Sequence, residues 1–420
     1  MAKFVIEEAT ELKGTVRIGG AKNSALPIIA ASLLAEKQSD FEEVPYLDDV
    51  KTMCELLRFL GAKVEISKEN NVLIISPGNN INGIAPYELV NKMRASFLIA
   101  GPLLARIGYA KVPLPGGCAI GLRPVDLHLK GFAAMGAEIN QGHGYVEVKA
   151  NGRLKGTKIY LDFPSVGATE NILMSAVLAE GQTIIENAAI EPEIVDLATY
   201  LISMGADIKG AGTDTIKING VKSLNGIKHS IIPDRIEAGT FMTAVAMAGG
   251  DIVLENVVPD HLKPISAKLR EAGVELSEEL SSIRVSSDGK LKAVDIKTHP
   301  YPGFPTDMQA QMTSIMTKAD GTSMIVETIF ENRFMHISEL KRMGANIRIE
   351  GRSAVIEGKS KLTGTQVKTT DLRAGAALII AGINAEGTTE IDDIEHIDRG
   401  YFKIDEKLKG LGVDIKRVES

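Results

Sequence analysis

Charged and small polar residues recur at equivalent places along this 420-residue chain, at junctions where a strand should hand over to a helix. The junctions read GGAKNS (19–24), VNKMRAS (90–96), FPSVGAT (163–169), IPDRIEAG (232–239), GFPTDMQ (303–309) and TTDLRAG (369–375). They place Lys22, Arg94, Ser165, Asp234, Asp307, Asp371 and Arg373 at or near helix starts. Free N–H groups and the positive end of the helix dipole make such starts favourable for anions. A second series of junctions, PLPGGCAIGLRPVDLH (113–128), ETIFENRFMHI (327–337) and IEHIDRGY (394–401), adds Cys118, Arg123, Arg333 and Arg399. The chemistry expected is the handling of anionic groups, with one thiol available for acid or nucleophilic work.

Each residue also has a plainer reading. Asp307 follows Thr306, and Gln309 lies three positions after that threonine, which is the spacing of a capping box. Lys22 and Asn23 read equally as a solvated lysine and a cap after a Gly-Gly turn. A single arginine can be a solvated surface residue, although Arg373 and Arg399 each follow an aspartate by two or one positions. Cys54, in KTMCELLRFLGAK, reads as an inert helix residue. Cys118 lies in PLPGGCAIG, where Pro and Gly-Gly force an exposed loop. With Arg123 and His128 following it, its pKa can be lowered, making it acid or nucleophile. An unspecialised thiol is the alternative.

The elements that must position these residues come from a sixfold internal repeat. One phrase runs LRFLGAKVEI, FAAMGAEI, LISMGADI, LREAGVEL, LKRMGANI and LKGLGVDI, with its glycine at Gly61, Gly136, Gly205, Gly273, Gly344 and Gly412. The spacings are 75, 69, 68, 71 and 68 residues, so six units fill the chain. A second phrase keeps the same period: LKGTVRI from Leu12, INGIAPY from Ile81, LKGTKIY from Leu154, LNGIKHS from Leu224, LKAVDIK from Leu291 and LTGTQVK from Leu362. Ala-rich stretches running through Gly into β-branched residues, as in LMSAVLAEGQTIIEN (173–187), read as a helix stopping before a strand. The order expected in each unit is strand, helix, strand, helix, strand, strand. The repeated glycines are structural punctuation near helix C-caps. One such unit cannot bury both faces of its helices alone, so three units per globule and two domains are expected.

Composition removes several classes. With 44% hydrophobic and 24% charged residues the chain is a folded, soluble one. No apolar run approaches the ~20 residues of a membrane span, and MAKFVIEEAT is acidic where a signal peptide needs an apolar run. Two cysteines fit a reducing, cytoplasmic compartment without disulfides or a zinc site. A net charge of −7 and scarce aromatics argue against nucleic acid. Without a P-loop, GxGxxG, HExxH or GxSxG pattern, no metal, cofactor or nucleoside triphosphate has an anchor.

Taken together, RIGGAKNSALPI (17–28), PGGCAIGLRPVDLH (115–128), PSVGATEN (164–171), PDRIEAGTF (233–241), PGFPTDMQ (302–309), FENRFMH (330–336), TDLRAGAALIIAG (370–382) and IDRGY (397–401) resemble the UDP-N-acetylglucosamine 1-carboxyvinyltransferase family of enolpyruvyl transferases. The resemblance spans the whole chain, and the Cys loop with its Arg-Pro-Val-Asp-Leu tail is its most specific part. It implies an α/β (α+β) fold, a two-domain inside-out α/β barrel of six βαβαββ units. Residues 22–232 would form one domain and residues 1–21 with 233–420 the other, with the active site in a cleft. The implied reaction moves the enolpyruvyl group of phosphoenolpyruvate to the 3′-hydroxyl of UDP-N-acetylglucosamine and releases phosphate, opening peptidoglycan synthesis.

By the same resemblance Cys118 protonates the enol carbon and can carry a phosphoenolpyruvate adduct, and Asp307 is the base near the sugar hydroxyl. Lys22, Arg123 and Arg399 bind phosphate and carboxylate, as bidentate arginine geometry suits both anions, with Asn23 beside Lys22. The nucleotide and sugar fall to Arg123, Pro124, Val125, Asp126, Leu127, Ser165, Val166, Gly167 and Ile329, with Arg94 another active-site arginine. Asp371, Arg373, Asp234 and Arg333 support. Some relatives carry a lysine two residues before Ser-Val-Gly, where this chain has Phe163 and then Pro164. The partners expected are the two small substrates, with no nucleic acid, membrane or obligate protein partner. The rivals are a shikimate 3-phosphate enzyme of the same architecture, which the Cys-Gly loop opposes, and a nucleic-acid clamp, which the net charge opposes.

Overall fold

All six glycines of the repeated phrase take a left-handed backbone, with φ of 107°, 90°, 111°, 101°, 100° and 98° from Gly61 to Gly412. Each ends the second helix of its repeat in the same way. The next residue, Ala62, Ala137, Ala206, Val274, Ala345 or Val413, is buried and donates its N–H back to the carbonyl five positions earlier, at 2.9–3.1 Å. Only glycine enters this conformation without a Cβ penalty, and the 6→1 bond with its apolar contact is how such caps close. Six identical stops fix six helix-to-strand corners.

The structure is a computed structural model that describes residues 2–67, 72–114, 120–121 and 124–419. The third repeat shows the plan: Lys158–Tyr160, the helix Val166–Ala176, Gln182–Glu186, the helix Pro192–Ser203, Asp207–Lys209 and Thr215–Asn219. Its first two strands are parallel and joined by a crossover through a helix, and the last two add antiparallel, giving the spatial order third, fourth, second, first.

Two repeats trade first strands. Leu12–Arg17 pairs in parallel with Gly250–Glu255 of the fourth repeat, and Lys228–Ser230 pairs in parallel with Ser39–Glu42 of the first. The sixth repeat borrows the N-terminus, with Ala2–Glu7 antiparallel to both Thr388–Asp392 and Ile415–Glu419. The chain accordingly forms two compact bodies, Met1–Gly19 with Ala119–Leu122 and Pro233–Ser420, and Gly20–Cys118 with Arg123–Ile232. One expected strand is nearly absent. INGIAPY contributes a single bridge, Ile84 to Lys111, and the helix Tyr87–Val90 then takes the place of further strand.

In the 233–420 body the helices Arg235–Ala248, Gln309–Met316 and Leu372–Ile383 are buried on nearly every side. A helix that is buried all round belongs inside, and the sheets, alternately buried and exposed along each strand, form the outer layer. The same arrangement surrounds Lys22–Ala31, Ala100–Ile107 and Val166–Ala176 in the other body. The expected inside-out packing is what the chain adopts, and it leaves helix starts and the loops before them as the places where side chains can be offered to a ligand.

Candidate functional site

In the 233–420 body three separate segments converge on one carboxylate. Asp307 lies in the 3-10 turn Thr306–Met308, Arg333 precedes the helix His336–Arg342, and Arg373 is the second residue of Leu372–Ile383. Arg333 Nη2 donates to Asp307 Oδ1 at 2.7 Å, and Arg373 Nη2 donates to Oδ2 at 3.0 Å. The side chains of the arginines are only 5% and 4% exposed, that of the aspartate 25%. The carboxylate is thus the part of the cluster that solvent or a ligand can reach.

A second layer holds the two cations. Arg333 Nη1 donates to Thr306 Oγ1 at 2.9 Å, and that hydroxyl donates to Glu327 Oε2 at 2.8 Å. The other oxygen of Glu327 accepts from the Ile329 N–H at 2.8 Å, which ties Ile329 into the cluster. Arg373 Nη1 donates to the buried Tyr401 hydroxyl at 3.0 Å, which also meets Thr240 and Gln311. Burial opposes the Arg373 charge, yet Tyr401, Asp307 and Asp234 hold its pKa above the ordinary guanidinium value. Burial pushes the Tyr401 phenol up, so it stays a neutral hydrogen-bonding group.

The plainer reading fits some residues and fails for others. Asp234 and Asp371 are helix caps, accepting from Ile236 and Glu237 and from Arg373 and Ala374 N–H groups. Asp307 is no cap. The capping box does not form, since Pro305 is the N-cap without a side-chain bond, and Thr306 is engaged by Arg333 and Glu327. Arg399 caps the C-terminus of the short helix Glu395–Asp398, two residues before Tyr401.

In the other body Lys22 opens its helix and lies 3.3 Å from Asp49 Oδ2, with side-chain exposures of 12% and 7%. It is not a solvated lysine. Asn23, beside it, is half-buried. The helix packs against the 3-10 turn Arg94–Ile99. Arg94 donates to the Pro124 carbonyl at 3.4 Å, and Pro124 and Val125 lead into the helix Asp126–Ala134, whose first two residues are Asp126 and Leu127. Ser165 caps Val166–Ala176, its hydroxyl accepting from Ala168 at 3.3 Å. His128 lies against Gly167, so Arg94, residues 124–127 and residues 165–167 meet in one region. Lys22 and Asn23 begin the neighbouring helix.

One electrostatic expectation needs correction. His128 was expected to help lower the pKa of Cys118, but burial and the nearby Arg94 push its own pKa down to about 3. It is neutral and contributes no positive charge. Cys118 and Arg123 lie outside the described residues. Cys54 is fully buried on its helix with its thiol pushed up to about 12 by desolvation, which agrees with an inert role.

The model of the family EPSP synthase (3-phosphoshikimate 1-carboxyvinyltransferase) matches residues 6–408. UDP-N-acetylglucosamine 1-carboxyvinyltransferase 1 of Caldanaerobacter subterraneus subsp. tengcongensis is 63% identical over 416 residues, covering 99% of both chains. The corresponding protein 2 of Carboxydothermus hydrogenoformans is 61% identical over 420 residues, covering all of both. The chain belongs to the UDP-N-acetylglucosamine 1-carboxyvinyltransferase family. Among solved structures, the enolpyruvyl transferase NikO from Streptomyces tendae superposes with a TM-score of 0.91 at 24% identity over 100% of this chain and 99% of its own. EPSP synthase from Acinetobacter baumannii gives 0.78 at 21%, covering all of both chains. At these identities the two share the fold.

In this carboxyvinyltransferase-family chain the clusters also contain residues that sequence reasoning passed over. Tyr401 stands inside IDRGY but was not singled out from the motif. Thr306 was seen only as a capping residue. Glu327 and Asp49 give no sequence signal, since a buried acid is recognised only by the cation packed beside it. No described helix is long and apolar enough to cross a membrane. Among the described residues no group of three or more His, Cys, Asp or Glu could hold a metal ion.

Proposed function

We propose that this chain transfers the enolpyruvyl group of phosphoenolpyruvate to the 3′-hydroxyl of UDP-N-acetylglucosamine with release of phosphate, the first committed step of peptidoglycan synthesis. The observation that carries this is full-length identity of 56–63% to transferases of that name. In the reaction the sugar hydroxyl loses a proton and its oxygen bonds to C2 of phosphoenolpyruvate, while the enol CH₂ gains a proton. The tetrahedral ketal then breaks its C2–O bond to phosphate and gives up a methyl proton, regenerating the enol.

Asp307 takes the hydroxyl proton. Each of its two oxygens accepts from an arginine, and a carboxylate has about four acceptor positions, which suits it to take a substrate hydroxyl beside them. Arg333 and Arg373 fix its direction, because base and substrate must approach within hydrogen-bond reach. Cys118 donates to the enol carbon. Lys22, Asn23, Arg123 and Arg399 hold the phosphate and carboxylate of phosphoenolpyruvate. Arg94, residues 123–127, residues 165–167 and Ile329 hold the sugar nucleotide, with Asp234 and Asp371 supporting as helix caps. The domains proposed are 22–232 and 1–21 with 233–420, a division the two compact bodies support. The place of action proposed is the cytoplasm, which the use of only two cysteines supports.

The description of the matching family model favours a second reading, in which the acceptor is shikimate 3-phosphate. Phosphate release from phosphoenolpyruvate, measured with each acceptor in turn, separates the two. Release with UDP-N-acetylglucosamine alone is expected, and the reverse preference overturns the proposal.

A further inference from the structure

A buried loop of hydrogen bonds surrounds the two residues that open the helix Lys22–Ala31. The N-cap of that helix is Ala21, which has no side chain able to cap it. What holds the first turn comes from distant parts of the same body. Ala21 donates its N–H to the Ile232 carbonyl at 2.7 Å. Ser24, fully buried, donates its hydroxyl to Asp196 Oδ2 at 2.5 Å, and the same oxygen accepts from the Ile232 N–H at 3.3 Å. Ala21 and Ser24 are thus joined through Ile232 and Asp196, and Lys22 and Asn23 lie between them.

Asp196 is itself fixed. It lies on the helix Pro192–Ser203 and is 5% exposed. Its other oxygen accepts from His229 Nε2 at 2.9 Å, since a carboxylate can only accept. The His229 ring meets Tyr200, one turn along the helix from Asp196, at 5.4 Å between centroids. The Tyr200 hydroxyl in turn shares a hydrogen bond with Ser39 at 2.9 Å. Burying a carboxylate is costly unless donors surround it, and an apolar residue at this place would avoid that cost. The acid is therefore better explained by what its bonds hold than by packing. The Lys22 ammonium is guided separately, by Asp49 at 3.3 Å.

We propose that Asp196 is a positioning residue for phosphoenolpyruvate. Through Ser24 and Ile232 it fixes the backbone of Lys22 and Asn23, so that both side chains meet the anion in one geometry. The inference rests on the proposed function, which gives those two residues that substrate. Asp196 acts through Ser24, ordering the first turn before the anion arrives and so removing that cost from binding.

The test compares Ser24→Ala, Asp196→Asn and the double variant in the full-length chain. Phosphate release gives KM and kcat for phosphoenolpyruvate, calorimetric titration gives affinity for UDP-N-acetylglucosamine, and a thermal curve gives the unfolding temperature. Ser24→Ala cuts the loop at one hydroxyl and leaves Asp196 bonded to His229 and Ile232, so it should remain folded. Its KM for phosphoenolpyruvate should rise roughly 10-fold, below the ~10²-fold that a misplacement of about 1 Å can cost. Affinity for UDP-N-acetylglucosamine should stay at the wild-type value. Asp196→Asn should show the same selective loss, and the double variant should be no worse than Asp196→Asn, because the two residues form one link. If Asp196→Asn does not fold, Ser24→Ala decides alone. Equal weakening toward both substrates, or a lower unfolding temperature with an unchanged KM, would make the loop a packing feature and overturn the inference. Losses that simply add in the double variant would break the link through Ser24 and overturn it too. If the wild-type chain releases phosphate with UDP-N-acetylglucosamine while Ser24→Ala keeps the wild-type KM, this inference alone fails. A wild-type chain that releases none with that acceptor overturns the proposed function as well.

Discussion

Replacing Asp307 by asparagine tests the cluster most directly, because the change removes one charge and one acceptor without altering size. In the wild-type protein both carboxylate oxygens accept from buried arginines, at 2.7 and 3.0 Å. The amide keeps one acceptor and turns an NH₂ group toward the other guanidinium, donor against donor. Arg333 and Arg373 keep Thr306 and Tyr401 but lose the carboxylate that bridges them. Breaking a buried ion pair costs ~3–5 kcal/mol. The 25% exposure of Asp307 admits water, so the low end, about 3 kcal/mol, applies here. For a body of this size that lowers the unfolding temperature by roughly 6–12 °C, leaving a folded protein to assay at 25 °C. Loss of a general base should then reduce phosphate release by ~10²–10⁴-fold. The assay is phosphate release beside a thermal unfolding curve for the same preparation. Asparagine is an accepted cap, so a helix-capping role would leave both quantities near wild type. Turnover within a few fold of wild type refutes the base, and an unchanged unfolding temperature refutes the two-arginine clamp.

Tyr401→Phe removes the oxygen shared by Arg373, Thr240 and Gln311; urea unfolding should show a loss of roughly 1–3 kcal/mol, and an unmoved midpoint would show that the phenol supports nothing. Glu170→Gln should stabilise the protein at neutral pH, because burial, Glu193 and Glu191 raise the folded-state pKa of Glu170 well above its ordinary value. The native state then keeps a proton that the unfolded chain releases above about pH 4.3, so this group's contribution falls as pH rises toward the folded pKa. The gain of Glu170→Gln over wild type in urea unfolding should accordingly be larger at pH 8 than at pH 5, and a gain that does not grow refutes it.

The sixfold period was legible because each repeat needs the same backbone punctuation, and a left-handed corner tolerates glycine far better than other residues. The first-strand exchange between the first and fourth repeats was not legible. Leu12–Arg17 and Lys228–Ser230 carry the same kind of pattern as every other first strand, and pairing partners depend on which sheet edge lies nearby. The missing strand at Ile84 could have been suspected from Asn82 and Pro86, which favour a turn. Helix starts told where charged side chains gather, but not which acids serve there as caps. Asp234, Asp307 and Asp371 look alike in sequence, and only Asp307 has arginines from two other segments against it.

The repeat itself explains why these residues stand where they do. In four repeats the second strand is followed by a residue in the left-handed region, Glu43, Asn187, Asn256 or Asp393, with φ between 53° and 57°. Three of these connections to the second helix are short, 43–47, 187–191 and 256–258, whereas in the sixth repeat 393–403, with the short helix Glu395–Asp398, precede Ile404–Gly410. The second and fifth repeats lack that corner, and their connections run over 114–125 and 327–335. Those two segments contain Cys118, Arg123 and residues 124–125 in one case, and Glu327, Ile329 and Arg333 in the other. Closing a longer loop adds only ~0.6 kcal/mol per doubling of its length, whereas altering a close-packed helix core is felt at the level of single methylenes. A duplicated scaffold can therefore acquire chemistry at little expense in stability by lengthening this connection, as in the second, fifth and sixth repeats, while the other three keep it short.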